Sequence, residues 1–335
     1  MSMPLLARPN IVRQSTATCP FDRFIVLANP RSSGRHQAER KLYELTQLFP
    51  QVPIESFETA RGGSAAYASL LEDHASELGP GTLLCIAAGD GSINYLLQAL
   101  LINATLSLEA RRTPILPLWG GNGNDLASML NGRVAKTSIR EIFESATAVP
   151  IRPMHFRMIH PDGTKKERLA CVTASLGATA QAARRLNDHA YRSNQLHKMP
   201  GGRYVMEGLT AWWAIAASST FVSEQTGKKR KMYEYTFCKG PRMAKWYRTP
   251  VRLNDDQFFL SRMEGKTAVI TPTMLTLSFR RKPPDSKLYR TTQLIVHEPV
   301  WAQFDGEPEL IPAGTEIYVG LAEPPFYAFS KLLTN

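Results

Sequence analysis

The sequence predicts an α/β N-terminal domain with an open parallel sheet, followed by a mainly antiparallel β-sandwich domain. Three observations carry this reading. In the first half, short apolar runs alternate with stretches of helical period. Three of those runs end in loops containing glycine. Past Val149-Pro150 the pattern changes to closely spaced β-like runs parted by turn residues.

Residues 24–28 (FIVLA) form a buried strand that stops at Asn29-Pro30, because a residue preceding proline avoids the helical region. Residues 37–48 carry Leu42, Leu45 and Leu48 and read as a helix. A second buried strand spans 82–88 and ends at Gly89-Asp90-Gly91. Ile93, Leu96, Leu97, Leu100 and Leu101 then follow the i, i+3, i+4 rule, with Ser92 as the expected N-cap. A third strand, 115–119, runs into Gly120-Gly121-Asn122-Gly123-Asn124-Asp125. The short helix 126–130 that follows is stopped by Asn131-Gly132.

In the second half, 154–159 and 168–173 read as strands around the turn Pro161-Asp162-Gly163. Helices are expected at 178–189 and 203–218. Strands are expected at 233–238, 257–262, 266–270, 274–279 and 293–296. The first domain then covers 20–148 and the second 149–312.

Composition sets the class. The chain has 335 residues, 43% of them hydrophobic and 21% charged, which is globular and long enough for two domains. The first twenty residues show no apolar leader, and no apolar run approaches the roughly 20 residues of a membrane-spanning helix. Cys19, Cys85, Cys171 and Cys238 form no C-x-x-C pair, which argues for reduced thiols in a cytoplasmic protein and against zinc. The net charge of +11 suits an anionic membrane, a phosphorylated substrate or nucleic acid. Nucleic acid is disfavoured, since no basic stripe with interleaved aromatics is present. The basic runs 228–231 and 280–282 suit peripheral contact with an anionic membrane surface, and Trp212 and Trp213 are either core or a lipid contact. Homodimer formation is compatible with the sequence.

The three loops sit at carboxyl ends of predicted parallel strands, where open α/β sheets bind ligands. Glycine lets backbone N–H groups approach a phosphate, and each following helix adds its N-terminal dipole. Ser32, Ser33, Ser92 and Asn122 add donors, while Asp90 and Asp125 repel phosphate unless a cation such as Mg²⁺ bridges them. No Gly-x-x-x-x-Gly-Lys-Ser/Thr is present, so this is not a P-loop.

The ordered set Asn29-Pro30-Arg31-Ser32, Gly89-Asp90-Gly91-Ser92 and Gly123-Asn124-Asp125 resembles the diacylglycerol kinase catalytic domain, a family that includes bacterial lipid kinases, sphingosine kinases and ceramide kinases. The resemblance continues through Ala174-Ser175-Leu176-Gly177-Ala178 and Phe304-Asp305-Gly306-Glu307-Pro308, covering about 24–319. It implies an ATP-binding first domain, a lipid-receiving β-sandwich, and a final segment, 313–335, that returns to the first domain. Carried over residue by residue, it implies that Asn29, Pro30, Arg31, Ser32, Ser33, Thr59, Gly89, Asp90, Gly91, Ser92 and Asn94 contact the nucleotide, with Asn122, Gly123, Asn124 and Asp125 closing the pocket. It further implies Glu307 as general base, Asp305 as its orienting partner or a metal contact, and Asp90 as the Mg²⁺ holder. Asn254-Asp255-Asp256 resembles the family's Asp-Asp-Gly, making Asp256 a candidate for a structural Mg²⁺. The sequence departs from the family pattern at Ala88 and Ser92, in a third loop two residues longer, and at Gln257.

The expectation is an ATP- and Mg²⁺-dependent lipid kinase, cytoplasmic and peripherally membrane-associated. Two alternatives stand beside it. A NAD kinase-like enzyme would share Gly-Asp-Gly but leave Gly-Asn-Asp and Asp-Gly-Glu unexplained. A catalytically inactive lipid- or nucleotide-binding relative would leave the retained Asp90, Asp305 and Glu307 unexplained.

Overall fold

A computed structural model describes residues 19–333 apart from 31, 33, 60–62, 103–104, 122–123, 134–135, 188–219, 225–229, 244–246 and 265–284. The first half alternates β1 (Arg23–Ala28), α1 (Arg35–Leu48), β2 (Ile54–Glu58), α2 (Gly63–Asp73), β3 (Thr82–Ala87), α3 (Asp90–Ile102), β4 (Pro114–Pro117), α4 (Asp125–Asn131), α5 (Ile139–Ser145) and β5 (Thr147–Ile151). The second half runs β6 (Met154–Ile159), β7 (Lys165–Ala170), β8 (Thr173–Gly177), α6 (Ala178–Asn187), β9 (Thr220–Glu224), β10 (Arg230–Cys238), β11 (Arg242–Met243), β12 (Tyr247–Arg248), β13 (Phe258–Glu264), β14 (Asp285–Tyr289), β15 (Thr292–Val296), β16 (Val300–Phe304), β17 (Glu307–Ile311), β18 (Glu316–Leu321) and β19 (Phe326–Ser330).

The first sheet has the order β2-β1-β3-β4-β19-β5. Strands β2, β1, β3, β4 and β19 are mutually parallel, and β5 closes the edge antiparallel to β19. Their apolar character matches burial on both faces: every residue of β3 is buried, as are all four of β4. Apolar clusters lie on either side, one under α2 and α3, the other under α1 and α5. The chain leaves β1 toward β2 and then returns to place β3 on β1's other side. That reversal is the topological switch point at which such sheets open a crevice.

The second sheet is antiparallel and continuous, ordered β17-β16-β8-β10-β9-β15-β18-β6-β7, with β13 and β14 branching from β10. It folds over onto itself as a sandwich. Phe156 of β6 packs at 5.2 Å from Phe237 of β10 and 5.1 Å from Phe304 of β16, strands far apart in the hydrogen-bonded order. Inward residues alternate along β6, as period-2 patterning requires.

Several elements differ from the sequence reading. Helix α3 begins at Asp90, so Ser92 lies inside its first turn and is not the N-cap. The strand expected at 168–173 ends at Ala170, and Thr173 begins a separate strand. The break is imposed by Asp305, whose carboxylate takes the N–H groups of residues 171–173. Strand β18, inside the segment 313–335 expected to return, pairs with β6 and β15 in the second sheet; β19 makes the return. Sheet membership therefore changes between Ile151 and Met154 and again between Leu321 and Phe326. The expected helix 203–218 with Trp212 and Trp213, the strands 266–270 and 274–279, and the basic run 280–282 lie outside the described residues. No helix among the described residues is long and apolar enough to cross a membrane.

Candidate active site

The three glycine loops meet backbone to backbone at the carboxyl ends of β1, β3 and β4. Gly34 donates its N–H to the Gly120 carbonyl at 2.9 Å, and Gly120 donates to Ala88 at 3.1 Å. A Cβ on Gly34 would lie 2.6 Å from Gly120, and one on Gly121 would lie 2.3 Å from the Gly89 Cα. Here glycine is needed for close approach, so the loops form one surface. Ser32 fixes the first loop by donating to the Gly120 carbonyl. Asn124, at φ 53°, turns the third loop into α4 and closes it by accepting the Gly121 N–H at 2.8 Å. Arg31, Ser33, Asn122 and Gly123 lie outside the described residues.

Thr59 follows β2 and stands beside the first loop, its N–H on the Ala28 carbonyl at 2.8 Å and its hydroxyl 2.9 Å from that of Tyr67. Burial pushes the Tyr67 hydroxyl's pKa up, against hydrogen bonds with Thr59 and Ser92. Asn29 reaches Ser92 at 3.4 Å. Thr59, Ser92 and Asn29 thus line one side of the loop surface.

Asp90 links the second loop to the third. Its carboxylate accepts the Asp125 N–H at 2.9 Å and the Leu126 N–H at 3.4 Å, at the N-terminus of α4. Burial, then the neighbouring Asp125 charge, raise its pKa to about 7. A divalent cation between these two carboxylates would relieve the repulsion that raises the Asp90 pKa. Asp256 does not fit one. It is more than half exposed and paired with Arg290 at 2.5 Å. The neighbouring Asp255 carbonyl already holds a cation, the ammonium of fully buried Lys239.

The second half contributes a hairpin. Phe304 pairs with Glu307 across the two-residue turn Asp305-Gly306, both at positive φ (49° and 92°), the geometry of a type I′ turn. The turn delivers its two acids to different partners. Asp305 accepts from Cys171 N at 2.6 Å, Val172 N and Thr173 N at 2.9 Å each, and Asn94 Nδ2 at 3.0 Å. Its pKa is raised by burial, against those bonds. Glu307 points the other way, into the cleft, accepting the Tyr95 hydroxyl at 2.9 Å through Oε2. Its Oε1 faces Gly91, where a Cβ would come within 2.4 Å. Burial, then the Glu307 charge, push the Tyr95 hydroxyl up to about 12. A cavity of about 260 Å³ opens here, lined by Gly63, Asn94, Tyr95, Arg168, Glu307 and Glu309 among others.

The structure therefore sets Glu307 against Gly91, the residue after Asp90, and ties the Asp305 turn to α3 through Asn94. Asn94 is 1% exposed, and its amide is taken up by Leu169 O at 2.7 Å, Asp305 and Gln98. That placement fits a structural bridge better than the expected nucleotide contact. Asp305 likewise orients the turn and does not touch Glu307 through any described hydrogen bond. Sequence reasoning missed Tyr95, Tyr67 and Arg168, because nothing local marks a helical tyrosine or strand arginine as cleft-facing.

An open parallel sheet with a glycine-loop surface and an acid at a helix N-terminus thus meets a carboxylate supplied from a second sheet. Residues 23–156 match the family model of the diacylglycerol kinase catalytic domain. Diacylglycerol kinase 4 of Arabidopsis thaliana is 26% identical over 155 residues, 41% of this chain. The match spans 31% of that relative's length. A diacylglycerol kinase from Bacillus anthracis str. Sterne has the same fold, with TM-score 0.65, 13% identity, and coverage of 93% of this chain and 98% of that one.

Proposed function

We propose that this protein transfers the γ-phosphate of ATP to a hydroxyl of a diacylglycerol-like or sphingoid lipid. The observation that carries the reading is the position of Glu307: a carboxylate from the second sheet, set against Gly91 of the first sheet's nucleotide-type loop. The family match to residues 23–156 supports the kinase class. Phosphoryl transfer needs positioning, charge neutralisation and a group to take the hydroxyl proton. The loop surface built by Gly34, Gly89, Gly120 and Gly121 would hold the phosphates by backbone N–H groups. Glu307 takes the proton of the lipid hydroxyl; that oxygen bonds to the γ-phosphorus as the bond to the β–γ bridging oxygen breaks, and ADP leaves with the electron pair. Mg²⁺, held by Asp90 and Asp125, would supply neutralisation of phosphate charge.

Glu307→Gln keeps the shape and removes the basicity. It should lower transfer by about 100-fold or more while ATP affinity is retained. Wild-type turnover in the variant would remove Glu307 from the role of base.

Peripheral membrane docking belongs to the same reading. The net charge is +11, and exposed charges are screened over about 8 Å at physiological ionic strength. Co-sedimentation with anionic vesicles should fall as salt rises, and neutral vesicles should recruit poorly. Equal binding to both at all salt concentrations would remove the electrostatic argument.

A further inference from the structure

We infer that Tyr95 is a positioning residue that assigns the two oxygens of Glu307 to different tasks, Oε2 to an anchor and Oε1 to the reacting proton. This rests on the reading of Glu307 as general base. Tyr95 follows Asn94 on α3, and the adjacent pair reaches across to two acids of one turn: Asn94 to Asp305 at 3.0 Å and Tyr95 to Glu307 at 2.9 Å. The first bond fixes the turn; the second fixes the side chain that leaves it. A glutamate has three rotatable bonds, so a rigid turn alone leaves its carboxylate free to swing. The phenol removes that freedom. It is a donor on a rigid ring with two rotatable bonds, carried by a helix whose neighbouring Leu96 and Leu97 are fully buried.

With Oε2 so held, Oε1 is turned to the Gly91 side, toward the loop surface. Among the described residues no hydrogen bond is formed at Oε1. The position opposite is glycine, and any side chain there would collide with this oxygen. Tyr95 holds one oxygen of the carboxylate, and the missing Cβ of Gly91 leaves room for the other. The open oxygen faces the loops that would hold the phosphates. The arrangement costs the tyrosine nothing in its own chemistry, since the hydroxyl stays protonated throughout the neutral range and remains a donor. Arg168, the cavity's other large polar side chain near this pair, is drawn instead to Glu309 at 2.8 Å and leaves the Tyr95–Glu307 bond undisturbed.

The test pairs Tyr95→Phe with Glu307→Gln in a double-mutant cycle read in kcat, and with Glu307→Ala in one read in thermal stability. Phenylalanine keeps the ring packing and deletes only the donor. A hydrogen bond to a charged group is lost, so Tyr95→Phe should lower kcat by about 10-fold or more. The KM for ATP should change by less than about twofold, since uniform binding is untouched. In the Glu307→Gln background the same change should have no further effect on the residual rate, because nothing remains to be positioned. An equal loss in both backgrounds would make Tyr95 merely structural and overturn the inference, as would an unchanged kcat in Tyr95→Phe. If the wild type phosphorylates no lipid offered, the proposed function fails, and the stability arm still decides the pairing. For that arm the acceptor itself is removed with Glu307→Ala, since the amide oxygen of glutamine could still accept from the phenol. Non-additive melting shifts between Tyr95→Phe and Glu307→Ala support the bond; strictly additive ones contradict it.

Discussion

Two acidic loops of the second sheet look alike in the sequence and behave differently in the structure. Asp305-Gly306-Glu307 reaches across to the first sheet, where each acid meets a partner on α3. Asn254-Asp255-Asp256 stays within its own neighbourhood. There Asp255 caps the Arg252 N–H at 2.8 Å, Asp256 pairs with Arg290 at the surface, and Lys239 supports the backbone from below. The difference teaches that the role of a carboxylate is set by what it faces. An acid whose partners are donors of its own fold is structural. An acid held at one oxygen and open at the other is equipped for chemistry.

The comparison can be broken first within the hairpin. Asp305→Ala leaves three backbone N–H groups and the Asn94 amide without their acceptor. It should cost about 3 kcal/mol or more in unfolding free energy. Glu307→Gln should shift stability by less than about 1 kcal/mol while removing activity. Denaturant unfolding of both variants checks this. Similar stability losses for the two would erase the distinction between joint and cleft.

A buried acid elsewhere sharpens the same rule. Glu234 of β10 is fully buried, accepting the Thr179 N–H at 2.9 Å and the Thr179 and Thr236 hydroxyls. Burial raises its pKa to about 7 despite those bonds. A raised carboxyl pKa means the folded state holds the proton longer than the unfolded one. This group's contribution therefore falls as pH rises from the ordinary glutamate range to about 7, then levels off. Glu234→Gln should flatten the decline in unfolding free energy across that window, by an amount on the order of 3 kcal/mol. An unaltered pH profile would show that Glu234 stays ionised in the fold.

The smallest effect is expected at the other acidic loop. Asp256→Asn breaks one exposed ion pair and should change stability by about 0.5 kcal/mol or less, with or without Mg²⁺. A melting temperature that rises with Mg²⁺ in the wild type and not in Asp256→Asn would restore the metal site that Lys239 and Arg290 argue against.

Much of the fold is local, and that part was legible. The run FIVLA before Asn29-Pro30 and the leucines of α3 are one-dimensional signals, set by burial on both faces of a sheet and on one face of a helix. The glycine loops were legible as a set, since each follows a strand. What the sequence could not show is pairing between distant segments. Strand β19 is an apolar run like many others, and only the structure places it between β4 and β5. Asp305 and Glu307 are equivalent acids on paper; the turn at positive φ sends one behind the joint and the other into the cleft. Residues 171–173 read as strand because their side chains suit one, yet the Asp305 carboxylate claims their N–H groups. Tyr95 carried no signal at all, because its meaning depends on a residue more than two hundred positions away.

The central claim is that a carboxylate from the second sheet activates a lipid hydroxyl against ATP held on the first. The most direct measurement is transfer of labelled phosphate from ATP to a panel of lipids in mixed micelles, comprising a diacylglycerol, a sphingoid base, a ceramide and a monoacylglycerol. Wild type and Glu307→Gln are run side by side. The account predicts label in at least one lipid with the wild type, and a loss of about 100-fold or more in the variant with ATP binding retained. Label absent from every lipid, or equal labelling by both proteins, would contradict it.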